Sequence, residues 1–414
     1  MSFVGSQQRT LLHLLGQLRP HWRVDRNLPA RVQTLLSSNR SFGSRDRRLY
    51  RELIYATLRY LPWIDPALDT NPDQAARIIA WLAADARATE HFRAALVADW
   101  PPCPHSVAAK AELLNAQTVE PASTPGRKMT PDELLPQWVR EECPRAFEPE
   151  QLDALHTRAP LWLRVKADAL PQVTAEFDHL GWRWRAAAAL PTALQLMDEA
   201  DVTKTRSFES GFIEVQDLAS QLLLESASLT PGSRWLDACA GAGGKTLQLA
   251  TLLGTSGHVD AFDIRRAALA ELDLRARRAR LKTISILSTP PTQSYDGVLV
   301  DAPCTGSGTW RRAPHLKWTT TPARINEAAT LQRKLLTQFS ERVRPGGRLL
   351  YATCSLIRSE NEAIVAGFLE QHSEFRIEPA MRTFGAASGA FGLKILPALH
   401  DTDGFFVASF RRIS

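Results

Sequence analysis

Two hydrophobic rhythms run along this chain. Over roughly the first 100 residues apolar positions recur at helical spacing, with Leu11, Leu12, Leu14, Leu15 and Leu18 in one stripe and Leu49, Leu53, Ile54, Ala56 and Leu58 in another. This predicts a helical bundle. Nine prolines then break residues 101–149 into short fragments, as in a linker or an irregular cap. Residues 160–197 read β-α-β-β: Leu161, Leu163 and Val165 alternate, a helical stretch runs from Leu170 to Leu180, Trp182 and Trp184 alternate with arginines, and Leu194 to Met197 close the segment. From Thr230 onward strands alternate with helices. Strands are predicted over 234–239, 258–263, 283–287, 297–302, 348–354 and 405–410, and helices over 244–253, 265–281, 323–343 and 360–371. That order predicts an α/β fold whose mostly parallel sheet is covered on both faces.

The 414 residues exceed one ordinary core. The patterns divide them into a helical region over 1–145 with a Pro-rich tail, a small α+β module with a connecting helix over 146–225, and an α/β domain over 226–414. The absence of a long apolar run, at the N-terminus or elsewhere, predicts a cytoplasmic protein without membrane spans. Five cysteines without a CxxC pair argue against a disulfide framework and against a metal site. A monomer is the default expectation.

The net charge of +6 is unevenly spread. Residues 1–60 hold eleven arginines, no lysine and three acids. Arginine favours bidentate contact with phosphate, although a solvated helix surface accounts for the charge equally well. Trp162, Arg164, Lys166, Arg183 and Arg185 lie on or near the predicted small sheet, where aromatic and basic groups can stack on and neutralise RNA. Core packing explains the tryptophans about as well.

Two stretches carry candidate chemistry. The first, Asp237-Ala238-Cys239-Ala240-Gly241-Ala242-Gly243-Gly244-Lys245-Thr246, joins the first strand of the α/β domain to its first helix. It is neither a P-loop, because Ala240 stands where the first glycine belongs, nor a dinucleotide GxGxxG. An acid at the strand end, small residues, and a second acid (Asp263, followed by Ile264) closing the next strand fit a nucleoside that bears an amino acid. Asp263 would accept the ribose hydroxyls, and the cofactor so indicated is S-adenosylmethionine.

The second stretch is Asp301-Ala302-Pro303-Cys304, after the apolar run Gly297 to Val300, together with Ala352-Thr353-Cys354-Ser355 after the next strand. Adjacent parallel strands lie about 5 Å apart, so two strand-end thiols can face one pocket. Carbon 5 of cytosine becomes nucleophilic once a thiolate adds to carbon 6, which a strand-end acid can assist at nitrogen 3. A buried structural thiol is the competing reading for either cysteine taken singly.

DACAGAGGKT (237–246), DAPCTGSG (301–308), RRAPHLKW (311–318), PGGRLLYATCSLIRSENE (345–362) and GFIEVQDLASQLL (211–223) resemble the RNA (cytosine-5) methyltransferases of the Sun type. DGFFVASFRR (403–412) supplies that fold's closing strand, SRDRRLYRELIYATLRY (44–60) is similar to a NusB-like RNA-binding domain, and PLWLRVKADAL (160–170) to the start of a small RNA-binding module. The resemblance implies a Rossmann-like S-adenosylmethionine-dependent methyltransferase domain with a seven-stranded sheet, preceded by an all-α NusB-like domain, acting on RNA, with ribosomal RNA expected. It implies Cys354 as nucleophile, Cys304 as helper in elimination, Asp301 on the base or the methionine amine, Lys245 near cofactor and target, and Asp263 on the ribose. The chain departs from the family after the third strand, where Leu287 to Tyr295 offers no acid for the adenine, and at Ala268, where an arginine is usual. Those departures motivate a competing reading, a non-catalytic RNA-binding or ribosome-assembly protein with a decayed cofactor site. A DNA cytosine methyltransferase would place its nucleophile in a Pro-Cys motif instead.

Overall fold

A computed structural model describes residues 3–117, 128–227 and 229–414. Contacts divide the chain into two units, Met1–Arg158 with Trp310–Thr321, and Ala159–Thr309 with Pro322–Ser414.

The first unit is helical among its described residues. Helices Phe3–Leu18, Leu28–Ser38, Ser44–Arg59, Leu61–Thr70 and Pro72–Leu82 turn their apolar stripes onto one core that includes Leu11, Leu15, Leu53, Ile54, Trp63 and Ile79. Their starts are chemically marked: the Asn71 side chain accepts from Gln74 N just before Pro72, and the Asp46 carboxylate accepts from Gly43 N. Of the Pro-rich segment, 101–117 and 128–149 carry a helix, Val107–Gln117, and short helical turns; 118–127 lie outside the described residues.

Residues Trp310–Thr321 fall inside the span that the sequence assigns to the α/β domain, yet they pack within the helical unit. Lys317 is only 1 % exposed, and its Nζ meets Arg59 O at 2.9 Å, Leu134 O at 3.3 Å and His156 Nε2 at 2.9 Å. Trp318 Nε1 donates to Leu58 O, and Arg311 donates to the Arg158 carbonyl. Burial, with Arg59 nearby, holds the Lys317 amine far below its ordinary value. Within RRAPHLKW, Arg311, Lys317 and Trp318 thus make structural contacts inside the helical unit, while Arg312 is exposed.

The second unit holds two sheets. In the smaller, β1 (Leu161–Val165), β2 (Trp184–Ala186), β3 (Ala193–Leu196) and β4 (Ile213–Val215) are ordered β2-β3-β1-β4, all antiparallel. Of its aromatic and basic residues, some join the core and others stay at the surface. Trp162 is buried and donates to Asp401 O, Trp182 packs on Phe177, and Trp184 Nε1 donates to Asp178. Arg164 bonds Gln216, Arg183 pairs with Asp198, Arg185 bonds Gln195, and Lys166 caps the Ala279 carbonyl. Trp162 is thus core, while Arg183 and Arg185 remain largely exposed, at 77 % and 56 % of their side chains.

The larger sheet contains β5 (Arg234–Asp237), β6 (His258–Ala261), β7 (Ile284–Ile286), β8 (Tyr295–Asp301), β9 (Val343–Thr353), β10 (Phe375–Glu378), β11 (Ser388–Gly389), β12 (Gly392–Ile395) and β13 (Phe405–Arg412). The order is β11-β12-β13-β9-β8-β5-β6-β7, with β10 also paired to β13. β7, β6, β5, β8 and β9 are mutually parallel, while β13, β12, β11 and β10 add antiparallel pairs. The sheet has nine strands where the resemblance implies seven: the six strands predicted from the pattern are all present, and β10, β11 and β12, each of two to four residues, add antiparallel pairs. The chain crosses back between β5 and β8, and the C-terminal ends of those strands carry both candidate stretches, as ligand sites in open parallel sheets do. No helix among the described residues is long and apolar enough to cross a membrane.

Candidate active site

β8 and β9 run in parallel register, Asp301 opposite Ala352, so the loops that leave them start side by side. Cys304 Sγ and Cys354 Sγ lie 3.4 Å apart, within hydrogen-bonding reach for sulfur. That hydrogen bond, burial, and the charges of Cys354 and Glu360 push the Cys304 thiol well above its ordinary value. Gly308 fixes the approach of the loops. Its N–H donates to Cys354 O at 2.9 Å, its carbonyl accepts from Gly404 N at 2.8 Å, and a Cβ placed on it would meet Gly404 O at 2.0 Å. Only glycine fits there.

Beside the thiols, Lys245 Nζ donates to Asp301 Oδ2 at 2.8 Å and lies 4.9 Å over the Phe405 ring. Burial alone would lower the Lys245 ammonium, but the charge and hydrogen bond of Asp301, with smaller help from Cys354 and Asp237, leave it above its ordinary value. Lys245 belongs to the first turn of the helix Gly244–Leu253, whose start depends on Gly243 at φ +88°. A Cβ there would meet Leu272 Cγ at 2.6 Å.

The remaining cofactor candidates surround this turn. Asp237 is 1 % exposed; its Oδ2 accepts from Thr246 at 2.7 Å, and its Oδ1 has no hydrogen-bond partner. Burial lifts this carboxyl to about 7. Such an orphaned acceptor fits the ammonium of an amino-acid ligand. Ala238 is buried at the strand end and Ala240 lines the turn, while burial pushes the Cys239 thiol upward. Gly241 N donates to Asp263 Oδ2 at 2.8 Å, and Arg275 donates to the Ala242 carbonyl at 2.7 Å. Arg275 is held in turn by Glu214, which also pairs with Arg278. Asp263 is also occupied by Arg265, whose N, Nε and NH2 donate to its two oxygens at 2.8 to 3.0 Å. Burial by itself would raise the Asp263 carboxyl, but Arg265 and the Gly241 amide hold it below the ordinary range. Next to it Ile264 is 85 % exposed, an apolar face that a planar base would cover. Asp296 begins β8 at the opposite end of the strands, where it accepts from Arg234 N and pairs with Arg344.

The structure thus brings Cys354, Cys304, Asp301 and Lys245 into one cluster and lays Asp237 to Gly244, Asp263 and Ile264 along the adjoining strand ends. Sequence reasoning missed Arg265, Arg275, Phe405 and the buried Glu360. For Arg265 the signal was available, because a basic residue two positions after a strand-end acid can fold back onto it.

Residues 225–411 match the family described as 16S rRNA methyltransferase RsmB/F. The chain is 33 % identical over 299 residues to the probable ribosomal RNA small subunit methyltransferase B of a Synechocystis species, covering 67 % of each chain. It is 33 % identical over 287 residues to ribosomal RNA small subunit methyltransferase B of Xanthomonas campestris, covering 66 % of this chain and 65 % of that one. The chain spans about two thirds of the length of these relatives. A solved methyltransferase homologue from Pyrococcus horikoshii superposes with a TM-score of 0.56 at 26 % identity, over 64 % of this chain and 90 % of that one. By sequence, this chain belongs to the 16S rRNA methyltransferase RsmB/F family.

Proposed function

We propose that this protein methylates carbon 5 of a cytosine in small-subunit ribosomal RNA, through covalent addition of Cys354 to carbon 6. The observation that carries the reading is the pair of sulfurs 3.4 Å apart at the ends of adjacent parallel strands, beside the Lys245–Asp301 ion pair. Exocyclic-amine methylation needs no thiol, whereas carbon 5 chemistry needs one to add and benefits from a second when it leaves.

In this reading Cys354 gives up its thiol proton to solvent as Sγ bonds to carbon 6, nitrogen 3 takes a proton from solvent beside Asp301, and carbon 5 acquires enamine character. Asp237, the 238–244 turn and Asp263 would hold S-adenosylmethionine, which would supply the methyl group for carbon 5. Cys304, still carrying its own proton, assists the elimination by positioning the acceptor of the carbon 5 proton; as that proton leaves, the Cys354–carbon 6 bond breaks, Cys354 departs as thiolate and nitrogen 3 gives its proton back. Lys245 keeps Asp301 oriented through these steps. Arg45 and Arg48 support RNA as the partner: with Ser44 and Ala88 they line a depression of about 380 Å³, and both are exposed and form no ion pair among the described residues.

The test incubates the protein with methyl-labelled S-adenosylmethionine and small-subunit ribosomal RNA, then digests to nucleosides. Label in 5-methylcytidine is expected; label in another nucleoside overturns the reading. The Arg265–Asp263 contact favours a second reading, a protein whose ribose site is closed by its own arginine. Calorimetry separates the two, because that reading requires no S-adenosylmethionine binding at millimolar ligand.

A further inference from the structure

One buried group joins the two cysteine loops. Glu360 is fully buried, and each of its oxygens accepts two hydrogen bonds: Oε1 from Thr305 N at 2.8 Å and Gln332 Nε2 at 3.0 Å, Oε2 from Thr305 Oγ1 at 2.5 Å and Ser355 Oγ at 2.6 Å. Thr305 follows Cys304 and Ser355 follows Cys354, so a single carboxylate grips the residue next to each sulfur. All four donors are neutral, and no cation is among its partners within the described residues. The neighbouring Asn361 continues the grip, accepting from Thr353 Oγ1 at 2.6 Å and donating to Ser355 O at 2.8 Å.

We propose that Glu360 is the positioning residue of this site: through Thr305 and Ser355 it sets the separation of the two sulfurs, and through its charge it gives them different roles. The inference rests on the covalent cytosine reading and deepens it. A packing role alone would be served by a neutral side chain of the same shape, since buried charge without a cation is costly. A negative charge at this point instead discourages a second one on Cys304, whose neighbour Thr305 it holds through two of its four hydrogen bonds. The Glu360 charge is among the causes that push the Cys304 thiol upward, after the Cys354 hydrogen bond, burial and the Cys354 charge.

Glu360→Gln removes the charge and keeps the shape. Its amide nitrogen can donate to the Thr305 and Ser355 hydroxyls, which turn to accept, and Ser355 can then donate to Ser307 Oγ at 2.9 Å. Glu360→Ala strands the donors. Alkylation of each cysteine by iodoacetamide, followed by mass spectrometry across pH, reads the charge; capture by phenylarsine oxide, which bridges only adjacent thiols, reads the separation. For Glu360→Gln the expected result is a Cys304 alkylation midpoint at least one pH unit lower, retained arsenical capture, and kcat down tenfold or more at unchanged KM for S-adenosylmethionine. For Glu360→Ala, arsenical capture disappears. A Glu360→Gln protein with the wild-type Cys304 profile and wild-type kcat overturns the inference. Cys354→Ala run in parallel separates the two claims: if it still forms covalent RNA adducts, the covalent reading has failed; if it forms none while Glu360→Gln behaves as wild type, only the role of Glu360 has.

Discussion

Lys245 Nζ sits 2.8 Å from Asp301 Oδ2 and 4.9 Å over the face of Phe405, so a strand-end acid, a helix-start ammonium and a ring from β13 meet at one point. The ion pair is largely shielded, with the Lys245 side chain 11 % and the Asp301 side chain 28 % exposed. Asp301 therefore has one orientation in which to meet a base. Lys245→Met removes that constraint and leaves the acid without its partner. The expected outcome is a fall in kcat of about 10²-fold, the size of a missing electrostatic or proton-handling contribution. Single-turnover methyl transfer with saturating cofactor checks it.

Asp237 makes stability depend on pH. Its folded value of about 7 lies above the ordinary 3.8, so the native state binds this proton more tightly than the unfolded chain does. That contribution is fully present below about pH 4 and is lost as pH rises to 7, an effect on the order of a few kcal/mol. Asp237→Asn should flatten the fall of the melting temperature across this window. A ligand ammonium would favour the ionised form, so affinity for S-adenosylmethionine should rise as pH passes 7 in the wild type and not in Asp237→Asn, by calorimetry.

Gly308→Ala tests the approach of the two loops. Its new Cβ would stand 2.0 Å from Gly404 O and 2.8 Å from Cys354 O, both backbone atoms that cannot swing aside. The loops must part, and the expected cost is about 1–3 kcal/mol or more of unfolding free energy. Urea denaturation measures it, and arsenical capture of Cys304 and Cys354 should weaken in the surviving native protein.

The parallel core was legible because its strands end in marked residues: an apolar run into Asp301, another into Cys354, and a glycine turn after Asp237. Two strand ends adjacent in the sheet bring the thiols together whatever the loops do in detail. Other features were illegible for physical reasons. β11 is only Ser388–Gly389 and has no apolar position, while the alternations of β10 and β12 span just four residues each, too few to mark a strand on their own. Nothing in the residue types of Lys317 and Arg311 marks them as buried, yet backbone carbonyls satisfy them inside the helical unit. Trp162 reads equally as a stacking platform or as core, and only the packing of the Leu218–Glu225 helix and Trp235 decides. Glu360 sits in a polar run that resembles a helix start; its meaning comes from Thr305, 55 positions earlier.

The arginine surplus yields its own test. Arg45→Glu combined with Arg48→Glu, at the exposed start of the helix Ser44–Arg59, should weaken RNA binding and reduce the salt slope by about one for each phosphate that the arginines no longer neutralise. Filter binding across ionic strength reads both. Unfolding midpoints should stay near wild type, since neither side chain is buried.

Exchanging the two cysteines separates nucleophile from helper. Cys354→Ala and Cys304→Ala are each incubated with S-adenosylmethionine and small-subunit ribosomal RNA, then run on a denaturing gel to reveal covalent protein–RNA adducts. Cys354→Ala should give neither methyl transfer nor adduct, and Cys304→Ala should accumulate adducts that survive denaturation. Adducts in Cys354→Ala with none in Cys304→Ala would contradict the account.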